Sequence, residues 1–200
     1  QEGEFCRDNA DKLCANGYYF GPFRGVYVAD MGGFHDNRLV VQMRDPRDCI
    51  CSHYFSMGWS HKLPKTQERQ AHFLRMRDQV QSQEIDEYAI NTTPQYLRRM
   101  EVIRDIIDAH DDVLLLSYET MVTDTPTWCD QIEAFLGVER TPRLNRALRG
   151  LLDFNVDSED ASKHKRQVTP GDHKRKLLPE TLEKMNDTLQ PVLDRFSYAR

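Results

Sequence analysis

The chain has 200 residues, 39% hydrophobic and 30% charged, with a net charge of −5, which suits one globular domain spanning residues 1–200. The acidic balance supplies no overall basic field for nucleic acid or an anionic membrane, and no apolar run approaches the roughly 20 residues that span a bilayer. Cys6, Cys14, Cys49, Cys51 and Cys129 are odd in number and lack framework spacing, which predicts reduced thiols.

In chain order, residues 1–25 read as irregular, and residues 26–29 as a short strand that leads into the turn Met31-Gly32-Gly33-Phe34-His35-Asp36-Asn37. Residues 39–43 read as a strand apolar on both faces, as in a buried parallel sheet. Asp45 and Pro46 then open a helix as N-cap and first helical residue, running to about Met57. Longer amphipathic helices are predicted over residues 67–83 and 94–110. A second buried strand follows over 113–118, then a helix over 125–136 closed by Gly137. Further helices are predicted over 143–152 and 179–193, on either side of a polar, basic loop over 155–176. Alternating helices and buried strands predict an α/β fold, a three-layer sandwich whose central parallel sheet is flanked by helices. Ligands in such folds sit outside the carboxyl ends of the strands.

Arg44 stands at such an end, and a guanidinium fork matches phosphate oxygens two at a time. The helix starting at Pro46 adds backbone N–H groups and a positive dipole end. Ser52 falls about two turns further on, where its hydroxyl could reach the same anion. Spacing alone leaves a second reading open, in which Arg44 pairs with Asp45 or Asp48 and Ser52 is helix surface. Tyr118, at the end of the second strand, suits stacking on a base as well as a place at the edge of the core. The segment from Lys163 to Lys176 is basic in an acidic chain and turns at Thr169-Pro170-Gly171-Asp172. It fits a phosphate-covering loop or a solvated one, and it lacks the interleaved aromatics of a nucleic-acid patch. Cys49-x-Cys51-x-His53 lacks zinc-site spacing, so no metal is predicted.

Taken in order, three segments resemble the sulfotransferases that use 3′-phosphoadenosine 5′-phosphosulfate (PAPS). RDPRDCICSHYFS resembles that family's 3′-phosphate motif. LLLSYETMVTDTPTWCDQIEAFLGV resembles its strand end and following helix, and HKRQVTPGDHKRKLLPETLEKMNDTLQPVL its carboxyl-terminal loop and last helix. The resemblance implies a P-loop NTPase-like sulfotransferase fold and transfer of a sulfuryl group from PAPS to a hydroxyl or amine, with 3′,5′-diphosphoadenosine (PAP) as product and no metal. The acceptor it implies is a small molecule or a carbohydrate. By position, Arg44 and Ser52 would hold the 3′-phosphate and Tyr118 the adenine. Phe154 would stack on adenine, Arg166 would close the loop on the 3′-phosphate, and His61 falls where the family lines its acceptor pocket or on an exposed loop.

Three departures stand out: Gln167 where the family has Lys, Val168 where it has Gly, and His173 where it has Trp. Nothing near residue 1 resembles the family's phosphosulfate loop, so an upstream segment is expected and these residues alone are not expected to be catalytically complete. The nearest titratable candidates for a general base are Asp30 and His35. A non-catalytic nucleotide-binding module is the alternative reading. A kinase would need Gly-x₄-Gly-Lys-(Ser/Thr), which is absent. The expected location is cytoplasmic, and no motif speaks to oligomeric state or acceptor identity.

Overall fold

The computed structural model describes residues 2–9, 21–23, 26–151 and 168–199. Helix α1 (Glu2–Asp8) is followed by two 3₁₀ turns (Tyr27–Asp30 and Phe34–Asp36), strand β1 (Leu39–Met43) and helix α2 (Pro46–Phe55). A π-helical turn (Ser56–Ser60), α3 (Gln67–Gln81), α4 (Ile85–Asp108) and strand β2 (Val113–Ser117) come next. The chain then runs through α5 (Tyr118–Thr123), α6 (Thr125–Leu136), α7 (Pro142–Leu151), α8 (His173–Lys176) and α9 (Pro179–Arg195).

β1 and β2 pair in parallel, in register from Leu39 opposite Val113 to Met43 opposite Ser117. The sheet is not buried on both faces as the apolar runs suggest. Met43 and Leu116 are 5% and 2% exposed, but Val40 and Leu115 are 38% and 39% exposed. Alternate residues face opposite sides of a strand. Val41 and Met43 face the core built by α2, α4 and α9, in which Ile50, Ala89, Met185, Leu189 and Val192 are fully buried.

The predicted strand at 26–29 is instead the first 3₁₀ turn. β-branched residues favour a strand only where a partner strand receives them. Here α1 packs on the turn, with Gly3 so close that a Cβ would sit 3.2 Å from the Tyr27 ring. The helix predicted from Pro94 begins at Ile85, and Pro94 lies inside it. Tyr88 and Ala89, both buried, carry α4 past the proline by packing rather than propensity. Tyr118 is the first residue of α5 rather than the last of a strand: the Ser117 hydroxyl accepts the Thr120 N–H at 2.9 Å and caps the helix.

α2 starts as its sequence predicts, with the Asp45 carboxylate accepting the Arg47 N–H at 2.9 Å and Pro46 in the first turn. It ends in the π-helical turn, whose wide spacing frees carbonyls. Arg77 Nε donates to the Met57 carbonyl at 3.0 Å and Gln81 Nε2 to that of Gly58 at 2.7 Å, which binds the turn to α3. No helix among the described residues is long and apolar enough to cross a membrane.

Candidate functional site

The register of the sheet builds the site. Met43 pairs with Ser117, so the next residues, Arg44 and Tyr118, leave the sheet side by side. The Arg44 guanidinium carbon lies 4.4 Å from the Tyr118 ring centroid, stacked on its face. The two motif residues, 74 positions apart in the chain, therefore meet at the carboxyl end of the strands.

Three carboxylates surround Arg44 in sequence or space, and none of them pairs with it. Asp45 is taken by Arg47: Nε reaches Oδ1 at 3.0 Å and Nη2 reaches Oδ2 at 2.6 Å. Both partners are buried, and Arg47 also donates to Asn186 Oδ1 of α9 and to the Ala199 carbonyl, each at 2.6 Å. Glu119 Oε1 accepts the Asp45 N–H at 3.0 Å. Asp48, with no exposed surface, accepts three bonds from the turn before α8: Gly171 N–H at 2.8 Å, His173 N–H at 2.9 Å and His173 Nδ1 at 2.6 Å. Gly171 makes that turn at φ 82°, where a side chain would be strained. Burial alone would push the Asp48 carboxyl up, but the three hydrogen bonds outweigh it and hold the group below its ordinary value.

Among the described residues, Arg44 therefore keeps its charge without an ion pair, and its buried Nε has no hydrogen-bond partner. The alternative in which Arg44 pairs with Asp45 or Asp48 is overturned: Arg47 and His173 hold those acids. Asp45 caps the helix terminus as its sequence predicts and takes the Arg47 N–H.

Ser52 lies one turn beyond Asp48 on α2, half-buried and on the same helix face. A cleft of about 270 Å³ is walled by residues that include Asp45, Asp48, Glu119, Gly171, His173 and Lys174, and Arg44, Ser52 and Tyr118 are not among those that line it. Three other predicted residues, His35, Asp30 and His61, lie away from Arg44. His35 is exposed, with its ring 5.7 Å from that of His110, which precedes β2. It thus sits at the amino end of the sheet, opposite Arg44. Asp30 is exposed at the end of the first 3₁₀ turn. His61 is exposed beyond the π-helical turn, at the far end of α2 from Arg44, with its ring 5.5 Å from that of Phe73. Phe154 and Arg166 lie outside the described residues.

Cys49 is the thiol nearest the site, and its Sγ lies 4.0 Å from the Arg44 carbonyl oxygen. Burial, partly opposed by Arg44, pushes the thiol up to about 12. At pH 8 its thiolate fraction is then about a thousandfold below that of an ordinary cysteine. Iodoacetamide at pH 8 should label Cys49 that much more slowly than a free thiol, as peptide mass mapping would read. Labelling at the ordinary rate would contradict the burial.

The strand ends of this α/β domain thus present an arginine without an ion pair among the described residues, stacked on a tyrosine. The chain belongs to the sulfotransferase family: residues 34–197 match the family's sulfotransferase domain. It is similar in fold to a mouse sulfotransferase, SULT7A1, solved complexed with PAP, with a TM-score of 0.52 and 16% sequence identity. The match covers 78% of this chain and 58% of the mouse protein, so the chain spans less than two thirds of that relative's length. No curated protein sequence matches the chain.

Proposed function

We propose that this chain binds PAPS and serves the transfer of its sulfuryl group to a hydroxyl or amine of a small-molecule or carbohydrate acceptor. One observation carries the reading: Arg44 projects from the strand ends with its face on Tyr118, its Nε unpartnered, and Asp45 and Asp48 held by Arg47 and His173. A half-buried, unpaired guanidinium is costly unless a ligand anion completes it. Family membership and the PAP held by the mouse relative support a phosphoadenosine as that anion.

In this reading Arg44 and Ser52 take the 3′-phosphate and Tyr118 faces the adenine. Phe154 and Arg166 remain assigned to the nucleotide by resemblance alone. Bound PAPS brings the activated sulfuryl group. The contribution argued for this chain's residues is to bind and orient the nucleotide, and no residue is proposed as the base. The proposal treats the chain as one domain and includes a cytoplasmic location.

A thermal-shift comparison tests it. PAP at about a hundred times its dissociation constant stabilises a binding protein by about 2.7 kcal/mol, or roughly 5–11 °C for a chain of this length. Adenosine 5′-phosphosulfate, which lacks the 3′-phosphate, should give a much smaller shift at equal concentration. Equal shifts, or none, would reject the assignment.

A further inference from the structure

We infer that the cleft beside α8 is a binding site for the primary ammonium group of a small molecule, separate from the contacts assigned above to the nucleotide. The inference does not rest on the donor reading. Asp45, Arg47, Asp48, Glu119, His173 and Lys174 supply the polar wall of this cleft. Within that wall Asp45 is forked by Arg47, and Asp48 takes three donors from the turn before α8. Two buried atoms of the wall have no hydrogen-bond partner among the described residues: Glu119 Oε2 and His173 Nε2. Buried polar atoms of native folds are hydrogen-bonded almost without exception. Two such atoms left open on one cleft therefore point to a ligand.

What the two atoms can do sets the class of ligand. Its hydrogen bonds hold Asp48 ionised against the burial that opposes it, and a carboxylate only accepts. His173 Nδ1, 2.6 Å away, must therefore carry the proton of that bond. In the neutral ring Nε2 is then an acceptor, and Glu119 Oε2 is another. Two acceptors cannot satisfy each other, so the group that serves both is a donor. An ammonium carries three N–H donors on one atom. Charge favours it as well: three carboxylates in the wall face the two cations of Arg47 and Lys174, a formal balance of −1. His173 is only 3% exposed, and a charge-assisted bond is stronger in such a setting than in water. At about 270 Å³ the cleft is smaller than the roughly 300–1,000 Å³ of drug-sized pockets, which limits the ligand to a small molecule. Glu119 supplies the attracting charge, His173 the direction, and the exposed Lys174 opposes a cation's entry.

The test is a titration with ethylammonium chloride at about pH 8, above the ordinary histidine range, read by calorimetry and by nitrogen NMR of the His173 ring. Sodium chloride at equal ionic strength is the blank. Ethylammonium should bind saturably and move the His173 Nε2 resonance, which is assigned by its loss in His173→Gln. Ethanol has a donor without the charge, and tetramethylammonium has the charge without an N–H. Each should bind at least about tenfold more weakly. Glu119→Gln keeps an oxygen for the Asp45 N–H and puts a donor where the free acceptor stood, which should weaken ethylammonium at least about tenfold. Lys174→Met removes the opposing charge and should tighten it about threefold. Binding no tighter than that of ethanol, or unchanged in Glu119→Gln, would overturn the inference. So would an Nε2 resonance that does not respond to ethylammonium, the result expected of an ordered water only. Should Glu119→Gln fail to fold, the probe series and the resonance of the wild-type protein decide alone. No nucleotide enters these titrations, so a failure of the donor reading leaves their result standing.

Discussion

Replacing Arg47 by methionine destabilises the protein by about 3–5 kcal/mol, because it strands the buried Asp45 carboxylate without its partner. The loss reaches further than one ion pair. Arg47 also ties α2 to Asn186 of α9 and to the carbonyl of Ala199, so its removal loosens the carboxyl-terminal segment from the helix that carries Ser52. For a chain of this length the melting temperature should drop by roughly 6–20 °C. Arg38→Met is the control. Its pair with Asp112 is as close, at 2.8 Å, but both side chains are about half exposed, and such pairs contribute less than about 1 kcal/mol. Similar losses from the two variants in a thermal melt would show that the Arg47 network is not the internal tie described.

Arg44→Ala has the opposite signature, a large loss of nucleotide affinity with little change in stability. Arg44 makes no ion pair among the described residues, and its one contact of note is the stack on Tyr118, worth about 0.5–1 kcal/mol where partly exposed. Truncating one side of a ligand–arginine charge pair typically costs about 2–5 kcal/mol, roughly thirtyfold to several thousandfold in affinity. Arg44→Lys should fall between the two. It keeps the charge but loses the planar fork that grips two oxygens and stacks on the ring.

The parts of this architecture set by local chemistry were legible in the sequence. The Asp45-Pro46 pair marks the start of α2, the Val-Leu-Leu-Leu run marks β2, and Gly137, with φ 67°, marks the end of α6. The strand ends also announced Arg44 and Tyr118, and the parallel register then sets them together. The partnerships of the charges could not be read this way. Asp45 and Asp48 are both within four positions of Arg44, and spacing alone leaves them open as its partners. Their true partners depend on packing: Arg47 is steered by Asn186 and Ala199 at the far end of the chain, and Asp48 is met by His173, 125 positions away. The same applies to α4, whose first turns are fixed by Tyr88 and Ala89 in the core and run straight through Pro94. His35 lies at the other end of the sheet from Arg44, because β1 runs between them.

The most direct measurement is calorimetric titration of PAP into the wild-type protein and into Arg44→Ala, with a thermal melt of each. The account predicts saturable binding to the wild type, at least about thirtyfold weaker binding to the variant, and nearly coincident melts. Equal affinity for the two proteins, or a collapse of the variant's melt with its affinity intact, would show that Arg44 serves the fold and not the nucleotide.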